Sequence, residues 1–215
     1  MYLLVIALAP VIIILFYIYI RDKYEKEPLS LLIKSLVIGI LITIPVIFVE
    51  SMLSKMWNGE AGIMNAGYRA FIVAGFTEEL FKFVALYWLI WKHKEFDEKF
   101  DGIVYAVFIS LGFAAIENIL YVYEYGANIG YLRAFTAVPA HAVFGVVMGF
   151  YFALAKFSKK YNSYFLIKAL VIPVLLHGFY DFILMSDHPY LMFIFIPYLI
   201  WLLYFARKKI HSIGD

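Results

Sequence analysis

Long apolar stretches separated by short polar segments make up most of this chain. Seven of them are long enough to cross a hydrocarbon layer of about 30 Å as helices, and they lie at residues 2–20, 30–53, 68–91, 103–123, 132–156, 164–185 and 190–206. Prolines inside them are compatible with helices, because neighbouring groups in a bundle can satisfy the carbonyls that a proline frees; they are Pro45, Pro139, Pro173 and Pro197. The pattern predicts an all-α, polytopic transmembrane bundle of about seven helices.

Composition agrees with a membrane location. Hydrophobic residues make up 65% and charged residues 16% of the 215 residues, whereas soluble domains carry about 25% charged residues. The lipid bilayer is therefore an expected partner, and the length leaves room for one domain, residues 1–215. The net charge of +2 does not indicate nucleic-acid binding, and the absence of cysteine excludes disulfides and thiolate catalysis. The first stretch lacks a basic leader, which predicts a membrane helix and not a cleaved signal peptide.

The distribution of basic residues predicts the orientation. Twelve lysines and arginines follow the odd-numbered stretches, and these are Arg21, Lys23, Lys26, Lys92, Lys94, Lys99, Lys156, Lys159, Lys160, Arg207, Lys208 and Lys209. The opposite loops hold only Lys55, Arg69 and Arg133. Because cytoplasmic loops are enriched in basic residues, the N-terminus is predicted outside and the C-terminus in the cytoplasm.

Seven ionisable residues interrupt the apolar stretches, and four different stretches contribute them: Glu78, Glu79, Lys82, Glu117, His141, His177 and Asp181. At about 1.5 Å per residue from the predicted outer ends, they lie roughly 8–15 Å deep, with Lys82 one turn deeper than Glu78. Charges within a membrane usually face a protein interior or a watery cavity and mark function. The common depth predicts one site in the outer half of the membrane. Glu50 and Glu124 fall at outer helix ends, where solvation is the simple expectation.

The acidic pair on the third stretch can supply a general acid or base. Glu78 and Glu79 precede Lys82 by four and three residues, so both carboxylates can reach its ammonium group on one helix face. Two adjacent buried carboxylates resist simultaneous ionisation, and a cation can hold one of them charged while the other titrates. The structural alternative is ionic contact between helices.

Histidines with carboxylate partners complete the candidate site. His177 and Asp181 are four residues apart, so the carboxylate can orient the imidazole. His141 and Glu117 lie on other stretches. The structural alternative for all four residues is a hydrogen-bonded contact between helices. His141, His177 and Glu78 would form a conventional zinc ligand set. No HExxH motif is present, so the motifs predict no cofactor. The types of residue are nevertheless compatible with zinc.

Four motifs in order along the chain resemble the PrsW family of bacterial intramembrane proteases, which are related to the CAAX-type prenyl endopeptidases. They are Glu78-Glu79-x-x-Lys82, Phe113-x-x-x-Glu117, His141-Ala142-x-x-Gly145 and His177-x-x-x-Asp181. Segments 22–28, 96–105 and 141–151 extend the similarity over nearly the whole chain. The resemblance implies an enzyme of the bacterial cell membrane that makes the site-1 cut in a membrane-spanning anti-sigma factor and so activates an extracytoplasmic-function sigma factor. Relative to CAAX-type enzymes, Glu117 replaces a common histidine and Asp181 a frequent asparagine, which makes the site more acidic.

These observations lead to a mechanistic hypothesis. Glu78 activates a water molecule, Glu79 pairs with Lys82, and His177, oriented by Asp181, stabilises the oxyanion. His141 and Glu117 complete the site or deliver the proton. The alternatives are a zinc-dependent version of the same protease, a proton-coupled transporter, and a non-enzymatic sensor that binds transmembrane helices.

Overall fold

A computed structural model describes residues 1–22, 25–57 and 59–214 of the chain. Helices account for all regular structure in these ranges, and they are α1 (Tyr2–Arg21), α2 (Leu29–Met56), α3 (Ile63–Tyr68), a π-helical segment (Arg69–Phe76), α4 (Thr77–Ile90), α5 (Lys99–Tyr125), α6 (Ala127–Phe135), α7 (Ala137–Phe157), α8 (Asn162–Met185) and α9 (Pro189–Gly214). The all-α class predicted from the pattern is therefore confirmed. Lys23, one of the basic residues used for the orientation, lies outside the described residues, and the orientation stays a prediction.

The predicted apolar stretches correspond to helical passes. Within the described residues, six helices are long and apolar enough to cross a membrane, with α6 and α7 together forming one of them. The predicted stretch 68–91 is built differently, because α3, the π-helical segment and α4 follow one another from Ile63 to Ile90 without a break. The chain is thus a multi-pass membrane protein, and the pass that carries Glu78 and Glu79 is the irregular one.

Local sequence signals fix where helices begin. Asp101, in the first turn of α5, accepts hydrogen bonds from the backbone N–H of Glu98 (2.7 Å) and of Asp97 (3.1 Å), which satisfies donors that have no partner within the helix. Pro28 precedes α2, and its carbonyl accepts from Leu31 and Leu32. These caps define the predicted cytoplasmic ends of two helices that frame the site.

Helices α5 and α7 form the centre of the bundle. Most of their side chains are buried, whereas α1, α2, α8 and α9 cover them and leave many large apolar side chains exposed on the outside. Such an apolar exterior is what a lipid environment requires. Among the described residues, the most extensive helix contact is between α5 and α7, and this pair carries Glu117 and His141.

The π-helical segment places the acidic pair against α8. It packs closely on α8, and at Gly178 a Cβ atom would lie 2.3 Å from Cδ1 of Phe71, so only glycine permits this approach. The hydroxyl of Thr77 donates to the carbonyl of Ile72 (3.2 Å), five residues earlier. A π-helical turn changes the face that the following residues present, and such turns are frequent at functional sites. Glu78 and Glu79, which follow directly, are thereby directed at His177.

Candidate active site

Lys82 lies at the centre of a buried polar cluster. Its Nζ donates to Glu78 Oε2 and to Glu79 Oε1, both at 2.9 Å, and lies 3.3 Å from His141 Nδ1. Relative exposures of 5%, 0% and 1% for Glu78, Glu79 and Lys82 show that bulk water does not screen these contacts. Both carboxylates therefore contact one ammonium group, as their spacing in the sequence predicted.

His177 has carboxylates on both sides of its ring. Its Nδ1 lies 3.0 Å from Glu79 Oε1 and 3.9 Å from Glu78 Oε2, and its Nε2 lies 3.3 Å from Asp181 Oδ2. The ring of Phe144 stacks on the imidazole at 4.8 Å between centroids. Because both ring nitrogens face carboxylates and one face is covered, the orientation of the ring is fixed.

His141 connects the acidic pair to α5. Its Nδ1 faces Lys82, and its Nε2 lies 2.8 Å from Glu117 Oε2. Its backbone carbonyl accepts a hydrogen bond from Ser110 Oγ at 2.7 Å, which ties this turn of α7 to α5. The two imidazoles are 5.3 Å apart between centroids and nearly perpendicular, so they belong to one site.

Glu117 is anchored from the predicted outer side. Arg133 Nη2 lies 3.1 Å from Glu117 Oε1 as an ion pair without an aligned hydrogen bond, and Arg133 Nε donates to Asn118 Oδ1 at 3.0 Å. Asn118 in turn donates to the carbonyl of Ala7 on α1 at 2.8 Å. The arginine counted in the sequence as an outer loop charge is thus a part of α6 that holds Glu117 in place.

A cavity of about 620 Å³ leads to the cluster. It is lined by parts of α2, the π-helical segment, α5, α6 and α8, and its residues include Glu78, Glu117 and Asp181. Its far end lies among Ser54, Glu124 and Met185, at the helix ends predicted to face the outside. Of the acidic pair, Glu78 lines the cavity and Glu79 is buried behind it.

Glu50 is a cavity residue that sequence reasoning did not find. The simple expectation was a solvated carboxylate at a helix end, but the structure places it half-buried in the cavity wall with Glu78 and Glu117. Arg133 was also not recognised as part of the site. Both residues lie close to helix ends, and no spacing rule connects them to the buried motifs, so only packing could reveal them.

The donor set fits a divalent metal ion. One donor atom from each of Glu78, Glu79, His141 and His177 lies within 4.8 Å of the others, and all four residues are buried. Each histidine directs Nδ1 at the centre of this group and Nε2 at a carboxylate, Glu117 or Asp181. Carboxylates that hold the second nitrogen of a ligand histidine are typical of metal sites. In the described part of the chain, Glu79 Oε2 is a buried oxygen with no hydrogen-bond partner, which leaves a lone pair for a cation.

Comparison with known proteins supports the same chemistry. Residues 27–206 match the PrsW family of intramembrane metalloproteases. The chain is 39% identical to Protease PrsW of Bacillus subtilis over 210 residues, which cover 96% of this chain and 94% of that protein. It is also 39% identical to Protease PrsW of Geobacillus kaustophilus (90% of this chain, 85% of that protein) and of Clostridioides difficile (92% and 85%). The comparison with solved structures found no match.

These matches decide between the alternatives that the sequence left open. They favour a protease over a transporter or a sensor, and the family description favours the metal-dependent version of the enzyme. Since the family match covers most of the chain and the relatives cover nearly all of it, this multi-pass membrane protein is a membrane protease and belongs to the PrsW family of intramembrane metalloproteases.

Proposed function

We propose that this protein makes the site-1 cut in a membrane-spanning anti-sigma factor. The cut starts the release of an extracytoplasmic-function sigma factor. The observation that carries the proposal is a buried cluster of two glutamates, a lysine and two histidines beside a cavity. This cavity reaches the helix ends predicted to face the outside, which is the side on which a site-1 cut falls.

The cavity is the proposed binding site for the substrate segment. It holds five carboxylate residues, Glu50, Glu78, Glu117, Glu124 and Asp181, against the two guanidinium groups of Arg69 and Arg133. Glu50 has no hydrogen-bond or ion-pair partner among the described residues. A wall with more carboxylates than guanidinium groups favours a substrate segment with basic or neutral residues over an acidic one, since like charges at close range are costly.

Glu78 is the proposed general base. It is the member of the acidic pair that lines the cavity, so its carboxylate can reach a water molecule beside a bound peptide. Lys82 pairs with both Glu78 and Glu79, so its single positive charge offsets one of their two negative charges. A proton that Glu78 takes up from water neutralises the other. General base catalysis of this kind contributes about 10²–10⁴-fold to the rate.

His141, His177 and Glu79 are the residues that would hold a metal ion. The ion supplies Lewis-acid polarisation of the scissile carbonyl when it is bound. Asp181 and Glu117 hold the second ring nitrogen of each histidine and fix its tautomer. The sequence-based hypothesis assigned His177 the role of stabilising the oxyanion. In this geometry, that role requires Asp181 or Glu79 to release the ring when substrate binds.

Cleavage of a candidate anti-sigma factor by purified protein in proteoliposomes tests the proposal. We expect Glu78→Gln to lower kcat by about 10²–10⁴-fold, because glutamine cannot accept the proton. Glu60→Gln, which changes an exposed carboxylate in the loop after α2, is the matched control and should leave kcat unchanged. Full cleavage by Glu78→Gln would refute the assignment of the base. Activity that survives a strong zinc chelator would refute the metal ligands and leave a glutamate-activated water.

A further inference from the structure

The ammonium group of Lys82 occupies the position that a metal ion would need. Its three N–H donors face three acceptors, namely Glu78 Oε2 and Glu79 Oε1 at 2.9 Å and His141 Nδ1 at 3.3 Å. These are three of the four residues whose donor atoms form the candidate metal site. The lysine is therefore a cation coordinated by the metal donors themselves.

A divalent ion and this ammonium group cannot use the same donor atoms together. Metal–oxygen contacts in zinc sites are about 2.0–2.2 Å, so an ion bound to the same carboxylate oxygens would lie within a few ångströms of Nζ. The site is buried, with Lys82 1% exposed, and repulsion between positive charges is strong where water does not screen it. Metal binding therefore requires the ammonium group to move.

Phe113 provides a place to which the ammonium group can move. Nζ already lies 4.3 Å from the centroid of its ring, and Phe113 lines the cavity. An aromatic face stabilises an ammonium group that has lost other partners. Movement toward this ring also brings the charge closer to the wall of the polar cavity.

We propose that Lys82 is a resident cation that stands in for the metal ion in the metal-free protein and moves toward Phe113 when a divalent ion binds. In the metal-free state it holds the two buried carboxylates, Glu78 and Glu79, together although they would otherwise repel each other. In exchange, it weakens metal binding, because each binding event must displace it. The proposal rests on the proposed function only in that the cluster binds a metal.

Equilibrium zinc binding tests the proposal without substrate. Wild-type protein and Lys82→Met are purified in detergent, stripped of metal, and titrated with zinc against a chromophoric chelator. Removal of the ammonium group should tighten zinc binding by roughly two orders of magnitude, because the repulsion disappears while the donors stay. Lys156→Met is the matched control, since this lysine donates to the carbonyl of Trp91 at 2.6 Å and lies away from the cluster. The zinc affinity of this control variant should equal that of the wild type.

Thermal unfolding gives the second readout. Metal-free Lys82→Met should unfold at a lower temperature than metal-free wild type. Zinc should raise the unfolding temperature of the variant by more than it raises that of the wild type. If the variant folds only with zinc, the same affinity is obtained by removing zinc from the loaded protein with the competing chelator. Phe113→Leu should weaken zinc binding when Lys82 is present and have no effect in the Lys82→Met background.

The outcomes separate this proposal from the proteolytic function. Zinc binding that is equal or weaker in Lys82→Met overturns the resident-cation role and leaves the proposed protease intact. Absence of zinc binding in both proteins overturns the metal site as well. Tighter binding by Lys82→Met supports the proposal even if no anti-sigma factor is cleaved.

Discussion

The contact between α5 and α7 makes a strong prediction about how packing controls the site. Gly149 on α7 meets Gly102 on α5 so closely that a Cβ atom added at Gly149 would lie 2.2 Å from the carbonyl oxygen of Gly102 and 2.6 Å from Cα of Ile103. Ordinary contact begins at 3.4 Å, and all of these obstructing atoms are backbone. Gly149→Ala therefore forces the two helices apart by roughly 1 Å, since a packed interior has no free space to absorb the methyl group.

The cost can be estimated from two opposing terms. Overpacking of this kind destabilises by about 1–3 kcal/mol, whereas alanine is favoured over glycine in a helix by about 1 kcal/mol. Gly67→Ala is the matched control, because its Cβ would have Phe182 as its nearest neighbour, at 3.9 Å. We expect the control to stabilise slightly and Gly149→Ala to be less stable than the control by about 1–3 kcal/mol.

The same displacement should reach the site. His141 on α7 and Glu117 on α5 are joined by a contact of 2.8 Å, and a shift of roughly 1 Å is enough to break a hydrogen bond of that length. Thermal unfolding in detergent measures stability, and cleavage of a transmembrane reporter measures activity. If Gly149→Ala and Gly67→Ala have the same unfolding temperature and the same kcat, the reasoning is refuted.

Two further predictions concern residues around the cluster. Asp181→Asn should lower kcat by about 10–100-fold with little change in KM, because the amide holds His177 Nε2 less well than the carboxylate does. Steady-state kinetics with the transmembrane reporter measure both constants, and an unchanged kcat would contradict the prediction. On the predicted cytoplasmic side, burial and the nearby Asp101 carboxylate raise the pKa of Glu27 from 4.5 to about 10. The folded state then holds this proton more tightly than the unfolded state, so stability is fully present below about pH 4.5 and is lost as pH rises toward 10. Glu27→Gln, which can still accept from Tyr105 and donate to Asp101, should flatten that pH dependence in unfolding temperatures measured between pH 5 and 9, and an unaltered slope would contradict the assignment.

Sequence reasoning reached the positions of the helices because the physical constraint is local. A segment that crosses a bilayer must satisfy its own backbone hydrogen bonds and present apolar side chains to lipid, and each requirement can be read along one stretch of chain. Interruptions such as Glu78 or His177 are then conspicuous for the same reason. The family resemblance carried by these interruptions also followed from the sequence.

The irregular third pass shows where this reasoning ends. Hydropathy predicts a helix over 68–91, but it cannot distinguish an α-helix from the π-helical turns of Arg69–Phe76, because both bury the same apolar residues. The π-helical segment packs against α8, where Phe71 closely approaches Gly178. That contact joins residues that are more than 100 positions apart, and no local pattern encodes it.

The sequence by itself determined a membrane bundle, its family and the residues with chemistry to offer. Only the tertiary structure decided how those residues are connected: that Lys82 lies among the donors, that each histidine directs Nδ1 inward and Nε2 at a carboxylate, and that Glu78 and not Glu79 faces the cavity. It also added Arg133 and Glu50 to the surroundings of the site. Helical spacing fixes which side chains share one face, but the distance between faces of different helices depends on how small residues such as Gly149 let backbones approach.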